Sequence, residues 1–183
     1  TQTSTPYKVT GKLELDVNFA SPIKVANSSK TNFTVKLTKG EKSYTVNLGS
    51  DVTSGKLDNS EITYTLEALD YRRNKLSEGA TELNFYHLTF ENLELGTYSV
   101  EISGGGYQTV TMDNVEIEKS SKRILVGTDE KNIESEDGTT EHYPAALIGG
   151  NFNSDSKVDK TDYEELKNAI KSKSKDTKFD LNR

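Results

Sequence analysis

From Tyr7 to about Val126 the chain places an apolar residue at almost every second position. In "KLELDVNF" Leu13, Leu15, Val17 and Phe19 fall on one side, with charged and amide residues on the other. "NFTVKL" repeats this with Phe33, Val35 and Leu37, and "YTVNL" with Tyr44, Val46 and Leu48. "EITYTL" (Ile62, Tyr64, Leu66), "YHLTF" (Tyr86, Leu88, Phe90) and "TYSVEI" (Tyr98, Val100, Ile102) continue it, and "TVTMDNVEI" and "RILV" close the series. Side chains change face at each step along a strand, so this period describes sheets with one dry and one wet surface. About seven or eight short strands, separated by turn-rich stretches such as "KGEKS", "GSDVTSGKLDNS" and "SGGG", predict an antiparallel β-sandwich. The half-polar pattern and the lack of crossover helices between strands argue against a parallel sheet.

Around Gly127 the alternation stops. "GTDEKNIESEDGTTEH" is acidic and poor in apolar residues, and it reads as a linker or loop. "YPAALIGG" then restores apolar character. Leu147 and Ile148 pack the C-terminal part against the sandwich, or else form a short strand belonging to that second part alone; both alternatives stand.

The C-terminal part opens with "GGNFNSDSKVDKTDYEELKNAI", Gly149 to Ile170. An EF-hand-type loop offers oxygens at its positions 1, 3, 5, 7, 9 and 12, with a backbone carbonyl at 7. Counted from Asn151, these are Asn151, Asn153, Asp155, Lys157 (carbonyl), Asp159 and Asp162. All are hard oxygen donors, the chemistry calcium requires. Val158 takes the aliphatic position of such a loop. "KTDYEELKNAI" has helical period, with Tyr163, Leu166, Ala169 and Ile170 on one stripe and Lys160, Glu164, Lys167 and Asn168 elsewhere. Asp159 is the expected N-cap, with Asp162 in the first turn. Two features lower the expected affinity: position 1 is Asn rather than Asp, and position 6 is Ser156, where glycine ordinarily takes the left-handed turn at no steric cost. "KFDLNR" ends the chain with Asp180 and Asn182 spaced as positions 1 and 3 of a second, partial loop.

The stretch "GGNFNSDSKVDKTDYEELKNAI…FDLNR" resembles the duplicated calcium loop–helix of dockerin modules, covering the first repeat and the opening of the second. Upstream, "YKVTGKLELDVNF" and "LTFENLELGTYSVEISGGGYQTVTMDNVEIEKSS" resemble prealbumin-like sandwiches. These include the X-modules that precede type II dockerins in cellulosome scaffolding proteins. The resemblance implies Ca2+ as cofactor and a cohesin module as partner. It also implies an extracellular bacterial setting and a place in polysaccharide-degrading assemblies. Dockerins read their partner with exposed helix residues, and the matching positions are Lys160, Thr161, Lys167 and Asn168. The chain departs from the pattern at Asn151, at Ser156 and in the missing remainder of the second repeat. A full dockerin packs two loop–helix units together. With one unit, the stripe at Tyr163, Leu166 and Ile170 is covered by the sandwich, by another chain or by nothing.

Composition narrows the remaining classes. With 183 residues and a net charge of -6, the chain is not basic, and nothing suggests nucleic acid or an anionic membrane. No apolar run approaches the ~18 residues of a membrane span. Cysteine is absent, which excludes disulfides and thiolate metal sites. The opening "TQTSTPY" reads as a linker remnant of an excised or processed product. His87 is expected on an outer strand face and His142 in the linker, neither in metal-ligand spacing. No catalytic carboxylate pair or nucleophile motif stands out, and "GGG" at Gly104–Gly106 is a bare turn. Lys8 or Lys12 could supply the amine of an isopeptide bond, but "KRILVG" holds no Asn to receive it. Tyr71 and Tyr107 are the aromatics available for a sugar platform.

The expected organisation is a linker remnant (1–6), a β-sandwich X-module (7–126), an acidic linker and connector (127–147) and a dockerin segment (148–183). The function expected is non-catalytic cohesin anchoring. The alternative is an extracellular adhesin or stalk whose domain junction calcium stiffens.

Overall fold

The computed structural model describes residues 8–25, 33–48, 53–126, 129–134 and 140–179, with backbone alone for 48, 129–134, 140–145 and 177. The chain is mainly β. In order come β1 (Thr10–Lys24), β2 (Phe33–Lys39), β3 (Lys42–Leu48), β4 (Ser54–Lys56), β5 (Thr63–Leu69), β6 (Glu82–Glu94), β7 (Gly96–Gly104) and β8 (Tyr107–Ile117). Next are β9 (Ser121–Val126), β10 (Asp129–Glu134), β11 (Thr140–Ala146), one helix α1 (Lys160–Lys171) and a 3-10 turn (Thr177–Phe179).

Two sheets, ordered β4-β5-β6-β1-β9 and β3-β2-β7-β8, enclose one core. The alternating residues predicted to face inward do so: Leu13, Leu15, Val35, Leu37, Leu88, Phe90 and Val100 are all fully buried. At about 1.5–3 kcal/mol for each large apolar side chain removed from water, this core is the main source of the chain's stability. Gly11 marks a close approach. A Cβ there would collide with the Glu118 carbonyl and with Ile117, where β1 passes the end of β8.

Three features differ from expectation. First, the larger sheet is mixed, because β9 runs parallel to β1, from Lys12↔Ser121 to Val17↔Val126. β9 arrives from β8 of the opposite sheet, so one change of sheet supplies the crossover that a parallel pair needs, without a helix. Second, the acidic segment taken for a linker contains the antiparallel hairpin β10–β11. Backbone pairing alone makes such a ladder, and an apolar-poor sequence gives no periodic signal of it. Third, β4 lies inside the stretch read as a loop and pairs with β5 over three residues.

The outer face of the larger sheet is also less wet than alternation implies. Asp16 is 1% exposed. Arg123 grips it through Nε–Oδ2 (2.8 Å) and Nη2–Oδ1 (3.1 Å), and His87 Nδ1 lies 2.6 Å from Oδ1. Burial raises the Asp16 pKa, but the bonds from Arg123 and His87 outweigh it and hold the carboxyl below its ordinary range. His87 therefore sits on the outer face, as expected, bound to a structural carboxylate. Tyr107 is 5% exposed and stacks against Phe19 and Phe33, so it offers no sugar platform. Tyr71 is exposed, with the Arg72 guanidinium over its ring.

Candidate functional site

The loop–helix segment begins inside the sandwich. Leu147 is fully buried in the common core. Its N–H donates to the Asn18 carbonyl (2.8 Å), and its own carbonyl accepts from Ala20 N (3.2 Å), in parallel register with Phe19. Leu147 thus resumes the line beside β1 that β9 leaves at Val126, and the hairpin β10–β11 is an excursion from that line. A register shift between Asn18 and Ile23, where β1 leaves its pairing with β6, accompanies the contact. The next residues cross to the other sheet. Gln108 N donates to the Ile148 carbonyl (2.9 Å), and Gly150 N and Asn151 N both donate to the Gly106 carbonyl (2.8 and 3.0 Å). The first of the two alternatives for Leu147 and Ile148 holds: they pack the second part against the first.

Beyond Asn151 the loop is organised by its own side chains. Asp162 is 2% exposed, and its two oxygens face three backbone N–H groups. Oδ1 accepts from Phe152 (2.7 Å) and Asn153 (3.2 Å), and Oδ2 accepts from Asp159 (2.9 Å). Burial raises its pKa, but these bonds, that from Asp159 first, hold it below the ordinary range. Asp159 is the N-cap, as the sequence predicts, and accepts from Thr161 N at 2.7 Å; the structure adds that Asp162 completes a capping box with it. Asp155 accepts from Lys157 N and from Asn153 Nδ2, and Asn153 Oδ1 accepts from Asp155 N. Ser156 stands at φ 76°, the left-handed conformation expected at position 6, and Ser154 at φ 62° shares it. Val158 lies over Gly150, which itself has φ +115°.

The donor set therefore consists of hard oxygens, of which those of Asn153, Asp155, Asp159 and Asp162 are held by backbone N–H groups of the loop. Asn151 is 7% exposed, and its Oδ1 has no hydrogen-bond partner among the described residues, while Nδ2 reaches the Tyr107 carbonyl at 3.5 Å. A buried amide oxygen without a donor is what a cation at loop position 1 satisfies, so these residues fit calcium in kind. Among the described residues no three His, Cys, Asp or Glu side chains converge as a metal cage. The three aspartates are instead occupied with N–H groups of the loop. Asp180 and Asn182 lie outside the described residues.

The helix buries one residue, Asp162. Glu165, Leu166 and Ala169, on the same side, are half-buried. Lys178 donates to the Phe152 carbonyl (3.2 Å) and pairs with Glu165 (3.0 Å), while the Phe179 ring stacks on Phe152 with centroids 5.0 Å apart. The opposite side is open: Lys160, Thr161 and Asn168 are exposed. Lys167 is half-buried, paired with Glu164 at 3.2 Å and lying over the Tyr163 ring. Tyr163 (60% exposed) and Ile170 (69%) flank them. The helical stripe read from sequence is thus divided, with Leu166 and Ala169 inward and Tyr163 and Ile170 uncovered.

No family model matches the chain, and no curated protein matches it in sequence. Among solved structures, a chain of a type II cohesin–X–dockerin complex from Acetivibrio cellulolyticus, a C-terminal interface mutant, is similar in shape. The TM-score is 0.47 and the identity 14%, over 94% of this chain and 85% of that one. Both values are too low to fix a family.

Proposed function

We propose that this chain is a non-catalytic, extracellular assembly module of bacterial origin. In this reading the sandwich acts as a rigid base, and the loop–helix segment docks a cohesin-type protein. The observation that carries it is the exposed side of α1, where Tyr163 and Ile170 stand uncovered beside Lys160, Thr161, Lys167 and Asn168. Calcium would be held by Asn151, Asn153, Asp155, Asp159, Asp162 and the Lys157 carbonyl. It would supply a single positive centre that stabilises the folded loop and, with it, the docking face. Asn151 bonds to the sandwich through its own backbone, so the face is fixed to the base and not merely tethered.

Calorimetric titration of calcium into chelator-treated protein, beside Asp155→Ala and Asp162→Ala, tests the ion. Heat that both variants abolish is the expected result. A panel of purified cohesin domains then tests the partner. Ile170→Asp should weaken binding by on the order of tenfold or more, as loss of an apolar anchor does. No binding across the panel in calcium would sink this reading and leave a surface stalk or adhesin. The stitching of Leu147–Asn151 into both sheets favours that second reading, since it stiffens a junction whether or not a partner docks.

A further inference from the structure

The smaller sheet has an open edge at β3. β3 is the outermost strand of the smaller sheet, with no strand beyond it among the described residues. Of the three other edges of the two sheets, β9 is six residues long and the remaining two are less open. β4 is three residues long, and the start of β8 is taken by the connector and loop through Gly106, Gln108 and Thr109. β3 runs for seven residues. Gly40 (φ 57°) and Glu41 form a two-residue turn into it, so the flanking pair Lys39 and Lys42 exchange hydrogen bonds. Alternation from that pair aims the N–H and C=O groups of Ser43, Thr45 and Asn47 away from β2. All three residues are exposed.

Beside this edge lies a groove of about 850 Å³, within the size range of ligand sites. Its lining is mainly polar, with Tyr44 and the buried Leu57 and Ile62 as its apolar members. Its charge is polarised. At one end Lys8 (2.8 Å), Lys42 (3.2 Å) and Lys39 (3.4 Å) converge on the single carboxylate of Glu94, leaving positive charge in excess. On the far wall Lys56 pairs with Glu61 at 2.9 Å, and Asp58 adds a carboxylate. Lysine at an open edge discourages indiscriminate pairing and favours a strand of opposite charge.

We propose that β3 and this groove receive an extended acidic peptide segment of a partner protein. The segment adds as a strand to β3, its backbone pairing with Ser43, Thr45 and Asn47. Alternate side chains enter the groove, and a carboxylate meets Lys8 and Lys42.

The test uses the isotope-labelled full chain and a capped heptapeptide alternating glutamate with valine. Amide exchange at Ser43, Thr45 and Asn47 should slow, and the amides of Leu57 and Ile62 should shift. Lys8→Glu with Lys42→Glu should weaken binding by on the order of tenfold. Thr45→Pro, which removes one outward N–H, should abolish the slowed exchange. The charge-reversed variant keeps the test decisive if the proline variant misfolds. Equal binding of a lysine–valine heptapeptide overturns the proposal. So do perturbations confined to another surface, no perturbation at millimolar peptide, or unchanged affinity in the charge-reversed variant.

Discussion

The sandwich and the loop–helix segment are held together by opposite means. The sandwich buries Leu, Val, Ile and aromatic side chains from both sheets in one cluster. The helix of the second segment buries a single residue, and that residue is a carboxylate. Removing apolar area from water is non-directional and summed over many groups, so the sandwich tolerates local imperfection. A clasp of three N–H donors on Asp162 is directional and concentrated at one side chain, so it has little redundancy.

That contrast can be broken from either side. Leu15→Ala, at a fully buried position, should cost about 2–5 kcal/mol. It should unfold both regions together, because Leu147 shares the same core. Urea unfolding read by tyrosine fluorescence and by helical circular dichroism should give coincident transitions. Asp162→Ala should cost about 2–3 kcal/mol, and locally. The helical signal falls while the sandwich midpoint holds; an equal shift in both signals would show that the clasp is not local.

Acid sharpens the comparison within the sandwich. Bonds from Lys8 and Lys42 hold Glu94 down to about 2, and Asp16 is also held low. A carboxylate whose folded pKa is depressed contributes stability above its unfolded pKa and loses it as pH falls through the folded value. The contribution of Glu94 should therefore be complete above about pH 4.5 and fade toward pH 2. In Glu94→Gln that part of the acid dependence should vanish, as read by thermal melts across the range.

The smallest expected effect is a gain. Ser156 holds φ 76°, where a side chain is strained, so Ser156→Gly should stabilise the loop by about 1 kcal/mol or less. Its helical melt should rise without movement of the sandwich transition.

Much of the sandwich was legible because burial imposes a period of two on strands, as Leu13, Leu15, Val17 and Phe19 show. The helix start was legible for a different reason: capping is local chemistry, so Asp159 and Asp162 announce it within four positions. Hairpin β10–β11 was not, since a ladder of backbone bonds leaves no mark in side-chain polarity. Nor was the direction of β9, because "RILV" has the same alternation whichever way it runs beside β1.

Sequence alone therefore determined which residues face inward, where the helix begins, and which oxygens lie at calcium-loop spacing. Those are properties of neighbours along the chain. Only the tertiary structure decided that Leu147 enters the sandwich core, that Asp16 is buried under Arg123, and that Tyr163 and Ile170 part from Leu166 and Ala169 into solvent. Each depends on groups far apart in sequence, whose contacts are chosen by the packing of the whole fold.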